Sequence, residues 1–313
     1  MRNPAIAQTA QYRALDMLHR GYAPRLGGRA PFWRPPSPDV AAQVWTPSWS
    51  WRRPVTSDDG AWLTVLDANG AYLSAAASVM VGHGALRHTG PIVFDPKRPG
   101  YWLIEAHPWP AWDQIMSPLG GTPRRRKAAT VWVTTETVQL LAQLVETGIW
   151  PDVDIIDSWT ADHGVRLRAW AAAVRRDRED ARDLGCAVRD PDGECCAPHA
   201  RESAIKEGYA TAVVMFGLPE RSAIHRPDWM HAIRAQSAAS VWRYGWRCVQ
   251  GGFALVGSGH VDELVLTRSA VVRLWQMARA GRPTPLRLDI TGRQLGCFKV
   301  KAGKVPAADW GSQ

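Results

Sequence analysis

Two aspartates stand out by their settings. Asp67 closes an apolar run, Ala-Trp-Leu-Thr-Val-Leu-Asp, and is followed by Ala-Asn-Gly-Ala-Tyr-Leu-Ser, which bends the chain towards a helix. Asp262 lies just past the turn-like Gly257-Ser258-Gly259, on what reads as the return strand of a hairpin. If the two strands are neighbours, both carboxylates project from one rim of a sheet. Negative oxygens placed there repel each other unless a divalent cation sits between them. Two metals held by such a pair can activate an attacking hydroxyl and stabilise the leaving oxygen of a phosphoryl transfer. The plain alternative is that each aspartate only shapes its turn.

Other groups invite chemistry more weakly. Cys186, Cys195, Cys196 and His199 suggest zinc, but the first gap is long and the adjacent pair crowded for a structural site. A polar loop that carries thiols is the better reading. The five cysteines are an odd number, which suits reduced thiols more than a disulfide framework. Cations are grouped as Arg52 and Arg53, and as Arg124, Arg125, Arg126 and Lys127, within a chain of formal charge +9. That sign suits a polyanion, because each cation near a phosphate releases condensed counterions. A solvated basic loop is the ordinary alternative. Most of the 17 tryptophans belong to a core, although Trp33, Trp49 and Trp51 sit near basic residues and could stack bases.

The elements that must position the aspartates follow from pattern. The chain has 313 residues, 46% of them hydrophobic, enough for one large core or two smaller ones and too apolar for disorder. A helix is expected over 8–20, then a Pro-, Arg- and Trp-rich arm to residue 60. Residues 61–67 read as a buried strand and 71–81 as a helix. Strands are expected at 91–94, 101–106, 130–133 and 153–157. A helix starts near Thr134 or Thr135, either of which can cap it, with Val138, Leu141 and Val145 on its apolar face. Helices at 166–184 and 201–216 form a long antiparallel hairpin around the cysteine loop. A further helix spans 228–244, with Pro227 marking its start. A hairpin joins 253–256 to 261–266, a helix covers 270–280, and a short β-like tail follows. The N-terminus lacks the apolar core of a signal peptide and no window approaches a membrane span. A cytoplasmic protein without a membrane partner is expected.

The order of these pieces carries a resemblance. Asp67-Ala-Asn-Gly-Ala-Tyr-Leu-Ser resembles motif A of family B DNA polymerases, Asp-x-x-Ser-Leu-Tyr-Pro-Ser. Ile205-Lys206-Glu207-Gly208-Tyr209, with Phe216-Gly217 beyond it, looks like motif B on the fingers. Gly259-His260-Val261-Asp262-Glu263 is similar to motif C, Asp-Thr-Asp-Ser. Gln294-Leu295-Gly296-Cys297-Phe298-Lys299 resembles the Leu-Gly-x-Trp/Phe-Lys segment found after motif C, and Gly27-Gly28 slightly echoes the Tyr-x-Gly-Gly of protein-primed members. The resemblance spans roughly residues 60 to 300.

It implies an α/β (α+β) fold: a polymerase-like palm with an antiparallel sheet, helices on one face, and a helical fingers hairpin. Residues 1–60 would be an arm, 61–160 the first part of the palm, 161–217 the fingers and 218–313 the second part of the palm. Asp67 and Asp262 match the aspartates that hold catalytic magnesium or manganese, and Ala68 could add its carbonyl. Lys206 matches the lysine that contacts the incoming triphosphate, and Arg175, Arg176 or Arg178 on the opposite helix could be the second cation. Tyr72 matches the tyrosine that packs under the deoxyribose and excludes a 2′-hydroxyl. Lys299 falls where a basic residue holds the primer or template backbone, and Arg124 to Lys127 could contact DNA. The implied activity is metal-dependent addition of deoxynucleotides to a nucleic-acid or protein primer, in priming, end-filling or replication.

The departures matter as much. His260 stands where motif C has its first aspartate, and after Lys206 the residues 210–214 run Ala-Thr-Ala-Val-Val instead of the Asn-Ser-x-Tyr-Gly of motif B. Only 66 residues precede Asp67, too few for an exonuclease domain, and too little follows Lys304 for a thumb. A partner protein supplying thumb or primer is therefore one expectation. A palm that has lost catalysis and binds DNA as a non-enzymatic factor is the main alternative. A two-metal nuclease is a further one, disfavoured by the fingers-like hairpin.

Overall fold

The computed structural model describes residues 13–18, 37–46, 50–120, 130–183, 197–218, 224–259, 262–289, 291 and 293–306. The helices are α1 (residues 13–18), α2 (Ala71–Ser78), α3 (Thr135–Glu146), α4 (Arg168–Asp183), α5 (Ala197–Met215), α6 (Pro227–Gln250) and α7 (Arg268–Arg279). The strands are β1 (Trp51–Arg52), β2 (Trp62–Ala68), β3 (Met80–His83), β4 (Arg87–His88), β5 (Gly100–Glu105) and β6 (Thr130–Thr134). They continue as β7 (Ile155–Thr160), β8 (His163–Arg166), β9 (Leu255–Gly259), β10 (Glu263–Thr267) and β11 (Phe298–Pro306). Helices thus mix with antiparallel sheets, as the sequence predicts. The chain divides into two compact units, each gathered from separated segments. One holds Met1–Val44, Tyr72–Trp102 and Ile155–Ile233; the other holds Trp45–Ala71, Leu103–Asp154 and Arg234–Gln313.

The second unit is built on a five-stranded antiparallel sheet in the order β1-β9-β10-β2-β11. β2 lies inside it and buries every residue from Leu63 to Ala68, the fate of an apolar run covered on both faces. Its alternate residues Leu63 and Val65 pack with Val256 and Val265, and Val55 and Val305 close over them. Deeper burial of each such side chain contributes about 1.5–3 kcal/mol. On the α6 side the contact is close: a Cβ added at Gly245 would meet Ile115 Cδ1 at 3.1 Å and Leu264 Cδ2 at 3.3 Å. Glycine there lets helix backbone approach the sheet. Tryptophans complete the core: Trp242 and Trp246 stack at 5.7 Å, and Trp109 meets both edge-on. α7 starts at the cap Thr267, whose hydroxyl accepts the Ala270 N–H at 3.3 Å.

The first unit holds the β3–β8 pair, the β4–β7 pair with the start of β5, and the packed helices α4 and α5. β5 opens on Gly100 because β7 passes close: a Cβ there would fall 2.3 Å from the Trp159 carbonyl oxygen. α4 buries Trp170, Val174, Arg178 and Ala181, a stripe at helical spacing. Phe216 and Trp229 meet edge-on at 5.9 Å beneath the start of α6.

Five local expectations are corrected. Residues 91–94 form no strand; Pro91 lacks a donor, and Phe94 instead packs edge-on against Trp102 at 5.0 Å. The helix after Asp67 stops at Ser78, since Met80–His83 finds a strand partner in β8 and its β-branched Val81 suits a sheet. Gly257 and Ser258 are not a turn but lie inside β9, opposite Val265 and Leu264. Thr134 holds the N-cap position of α3 without a side-chain cap hydrogen bond. α6 also runs six residues past the expected end at Tyr244, to Gln250.

Candidate metal centre

Strand pairing does most of the assembly. Asp67, near the end of β2, stands directly opposite Glu263 on β10 and opposite Lys299 on β11. Residues paired in this way share a face, so carboxylate, carboxylate and ammonium form one row across the sheet. Asp262 comes in through the backbone. Its carbonyl accepts the Ala68 N–H at 2.8 Å, which ties the strand end carrying Asp67 to the start of β10. One oxygen from each of Asp67, Asp262 and Glu263 then lies within 4.8 Å of the other two.

The turn after β2 is fixed with equal care. Gly70 takes φ +61°, the left-handed conformation that glycine adopts without strain. Buried Asn69 is tied to the segment before β11: its N–H donates to Cys297 O, its carbonyl accepts from Gly296, and its amide reaches Gln294 O. Asp289 holds the same segment from the other side, accepting the Gln294 and Thr291 N–H groups at 2.7 and 2.9 Å. Burial would raise the pKa of that carboxyl, but these hydrogen bonds together hold it below its ordinary value.

The donor set suits a hard divalent cation, because it consists of carboxylate oxygens alone. Asp67 is only 8% exposed, and a like-charged residue directly opposite destabilises a sheet unless something neutralises the pair. Two lysines do so here. Lys299 Nζ lies 3.9 Å from Asp67 Oδ2, and Lys301 donates a hydrogen bond to Glu263 Oε1. The Lys301 pKa is raised, first by that hydrogen bond, against some burial, and further by the charges of Glu263, Asp67 and Asp262. A single ammonium therefore answers to all three carboxylates. Space is also reserved for one of them. A Cβ added at Gly259, the β9 partner of Glu263, would lie 2.7 Å from Glu263 Oε2.

Asp67 and Asp262 are thus brought together as their settings suggest, and the Gln294–Lys299 segment is brought beside them. Glu263 and Lys301 are additional members. Glu263 carried no local signal, because only the register of β10 on β2 places it opposite Asp67; Lys301 had none beyond alternation with Lys299. Tyr72, half-buried in the first turn of α2, belongs to the other compact unit, as do the hairpin cations. On that hairpin Lys206 is exposed, and Arg175 is exposed and pairs with Glu179 one turn on. Arg178 is only 3% exposed and pairs with Glu202, which also receives Arg182. Arg124, Arg125, Arg126, Lys127, His260, Cys186, Cys195, Cys196, Trp33, Trp49 and Gly27-Gly28 lie outside the described residues, and His199 is described only as α5 backbone. No helix among the described residues is long and apolar enough to cross a membrane.

Known proteins resemble the chain in fold. It superposes on Phi29 DNA polymerase complexed with primer-template DNA at a TM-score of 0.59, with 10% identity, covering 93% of this chain and 51% of that one. The complex of that polymerase with primer-template DNA and incoming nucleotide gives 0.52 and 10%, covering 94% and 52%. The complex with single-stranded DNA gives 0.52 and 11%, covering 84% and 47%. The chain spans about half the length of the polymerase it resembles. No family model and no curated protein matches the sequence.

Proposed function

We propose that this chain is a metal-dependent nucleotidyltransferase of the family B DNA polymerase type, adding deoxynucleotides to a primer. The observation that carries the reading is the meeting of Asp67 and Asp262 in one carboxylate cluster, from positions far apart in sequence. The polymerase-like fold supports it. On this reading 61–160 and 218–313 form the palm, 161–217 the fingers, and 1–60 an arm.

Asp67 and Asp262, with the Ala68 carbonyl, would hold magnesium or manganese, which when bound supplies charge stabilisation for phosphoryl transfer. The chain's own residues bind and orient. Lys206 and Arg175, exposed on the packed α4–α5 pair, receive the triphosphate of the incoming nucleotide. Arg178, committed to Glu202, serves them as a positioning residue. The Tyr72 ring lies under the deoxyribose and excludes a 2′-hydroxyl. Lys299 steadies the primer or template backbone beside the carboxylates, and Arg124, Arg125, Arg126 and Lys127 grip DNA phosphates without reading sequence.

One observation favours a second reading, a non-enzymatic DNA-binding factor on a decayed palm: His260 replaces the first aspartate of motif C. The test is incubation with labelled deoxynucleotides and Mg2+ or Mn2+ on primed, unprimed and single-stranded DNA. Incorporation on at least one substrate is expected. DNA binding with no incorporation on any substrate, with either metal, would overturn the enzyme and leave the factor.

A further inference from the structure

We propose that Glu263 is a metal ligand in this chain, supplying the carboxylate that motif C lacks at His260. The proposal deepens the metal-site reading above and rests on it. Family B motif C reads Asp-Thr-Asp-Ser, so a serine hydroxyl stands where this chain has Glu263, and a carboxylate stands where it has His260. Relative to that pattern, the acidic neighbour of Asp262 here lies on its other side. The sheet explains why that position works.

Glu263 pairs across the strands with Asp67, so its side chain leaves the same face as the principal metal-binding aspartate. Its carboxylate joins those of Asp67 and Asp262 with one oxygen of each inside 4.8 Å. Two features accompany this placement. Gly259 leaves the space the carboxylate occupies: a Cβ there would fall 2.7 Å from Glu263 Oε2 and push that end of the side chain aside. Lys301 supplies a cation: its ammonium bonds Glu263 while its side chain remains 56% exposed, leaving it room to withdraw into solvent. A divalent ion arriving between the carboxylates takes over the charge that Lys301 neutralises. The ammonium then has water to go to.

The test is Mn2+ binding measured by electron paramagnetic resonance, which needs no nucleotide and no turnover. Wild type, Asp67→Asn, Glu263→Gln and Gly259→Ala are compared, with thermal denaturation to show that each is folded. Asp67→Asn should abolish binding and Glu263→Gln should weaken it at least tenfold. Gly259→Ala keeps every charge but displaces the Glu263 carboxylate, so it too should weaken binding several-fold. Binding by Glu263→Gln within twofold of wild type, with Asp67→Asn still inactive for Mn2+, would overturn the ligand and spare the metal site. Weak binding by Glu263→Gln beside unchanged binding by Gly259→Ala would also overturn it, reducing Glu263 to a nearby charge. If wild type binds no Mn2+, or Asp67→Asn binds as well as wild type, the metal-site reading itself fails.

Discussion

The sheet rim and the α4–α5 helix pair handle charge in opposite ways. On the helices, Arg178 and Arg182 converge on Glu202, Arg175 answers Glu179, and Arg13 reaches Asp177. Cations there equal or outnumber the carboxylates they meet, so the charges settle locally. At the rim three carboxylates crowd together, and two lysines reach in from β11 to offset them. A pairing such as Arg178 with Glu202 holds helices together, whereas carboxylates gathered in excess are what the proposed metal site requires. That difference separates scaffold from site, and each half of it can be broken.

The largest effect belongs to the scaffold. Arg178→Ala leaves a cavity in the packed helix pair and removes one of the two cations on Glu202, with Arg182 remaining, a loss of about 3 kcal/mol. A lowered melting temperature with unchanged Mn2+ affinity is the expected outcome; lost affinity with full stability would erase the contrast between the two regions.

Glu136 sharpens the comparison, because it is a buried carboxyl whose Oε2 has no hydrogen-bond partner among the described residues. Burial pushes it up to about 7. A folded-state pKa above the unfolded value of about 4.3 favours the protonated folded protein. The stabilising contribution is then full below about 4.3 and lost as pH rises through 7. Between pH 4 and pH 8 wild type should lose about 3 kcal/mol relative to Glu136→Gln. Chemical denaturation of both proteins across that range measures it, and parallel pH profiles would refute the burial argument.

Tyr72 tests whether the unit carrying the helix pair also serves substrate. Tyr72→Ala should raise relative ribonucleotide use at least tenfold, about 1.4 kcal/mol of discrimination. If the ring is only core, the change should lower the melting temperature and leave the ratio alone, so both are measured together. The smallest effect is expected at the rim. Lys301→Met removes a cation that competes with the metal, and Mn2+ affinity should tighten several-fold, under about 1 kcal/mol for a half-exposed pair. Weaker binding would show that Lys301 supports the metal instead of standing in for it.

Much of this was legible because hydrophobic alternation and apolar runs are local signals. The β2 run, the Val138–Leu141–Val145 face of α3 and the Pro227 start each declare themselves within a few residues. What eluded the sequence was set at long range. Whether 80–83 prolongs a helix or pairs as β3 depends on β8, eighty or more residues away. Gly257-Ser258-Gly259 has turn composition, yet it lies in β9 because β10 and β1 pair with it and Glu263 needs the space. For the site, Asp67 and Asp262 were readable from motif order. Glu263 became visible only with the register, since a shift of one residue would have sent its side chain to the other face.

The central claim is that Asp67 and Asp262 form one metal site that transfers nucleotides. Its most direct test is labelled deoxynucleotide incorporation by wild type, Asp67→Asn and Asp262→Asn, with DNA affinity measured in parallel. A metal ligand acts on the transition state more than on backbone binding, so both variants should lose incorporation while DNA affinity stays nearly unchanged. Incorporation surviving either change at a near wild-type rate would contradict the account.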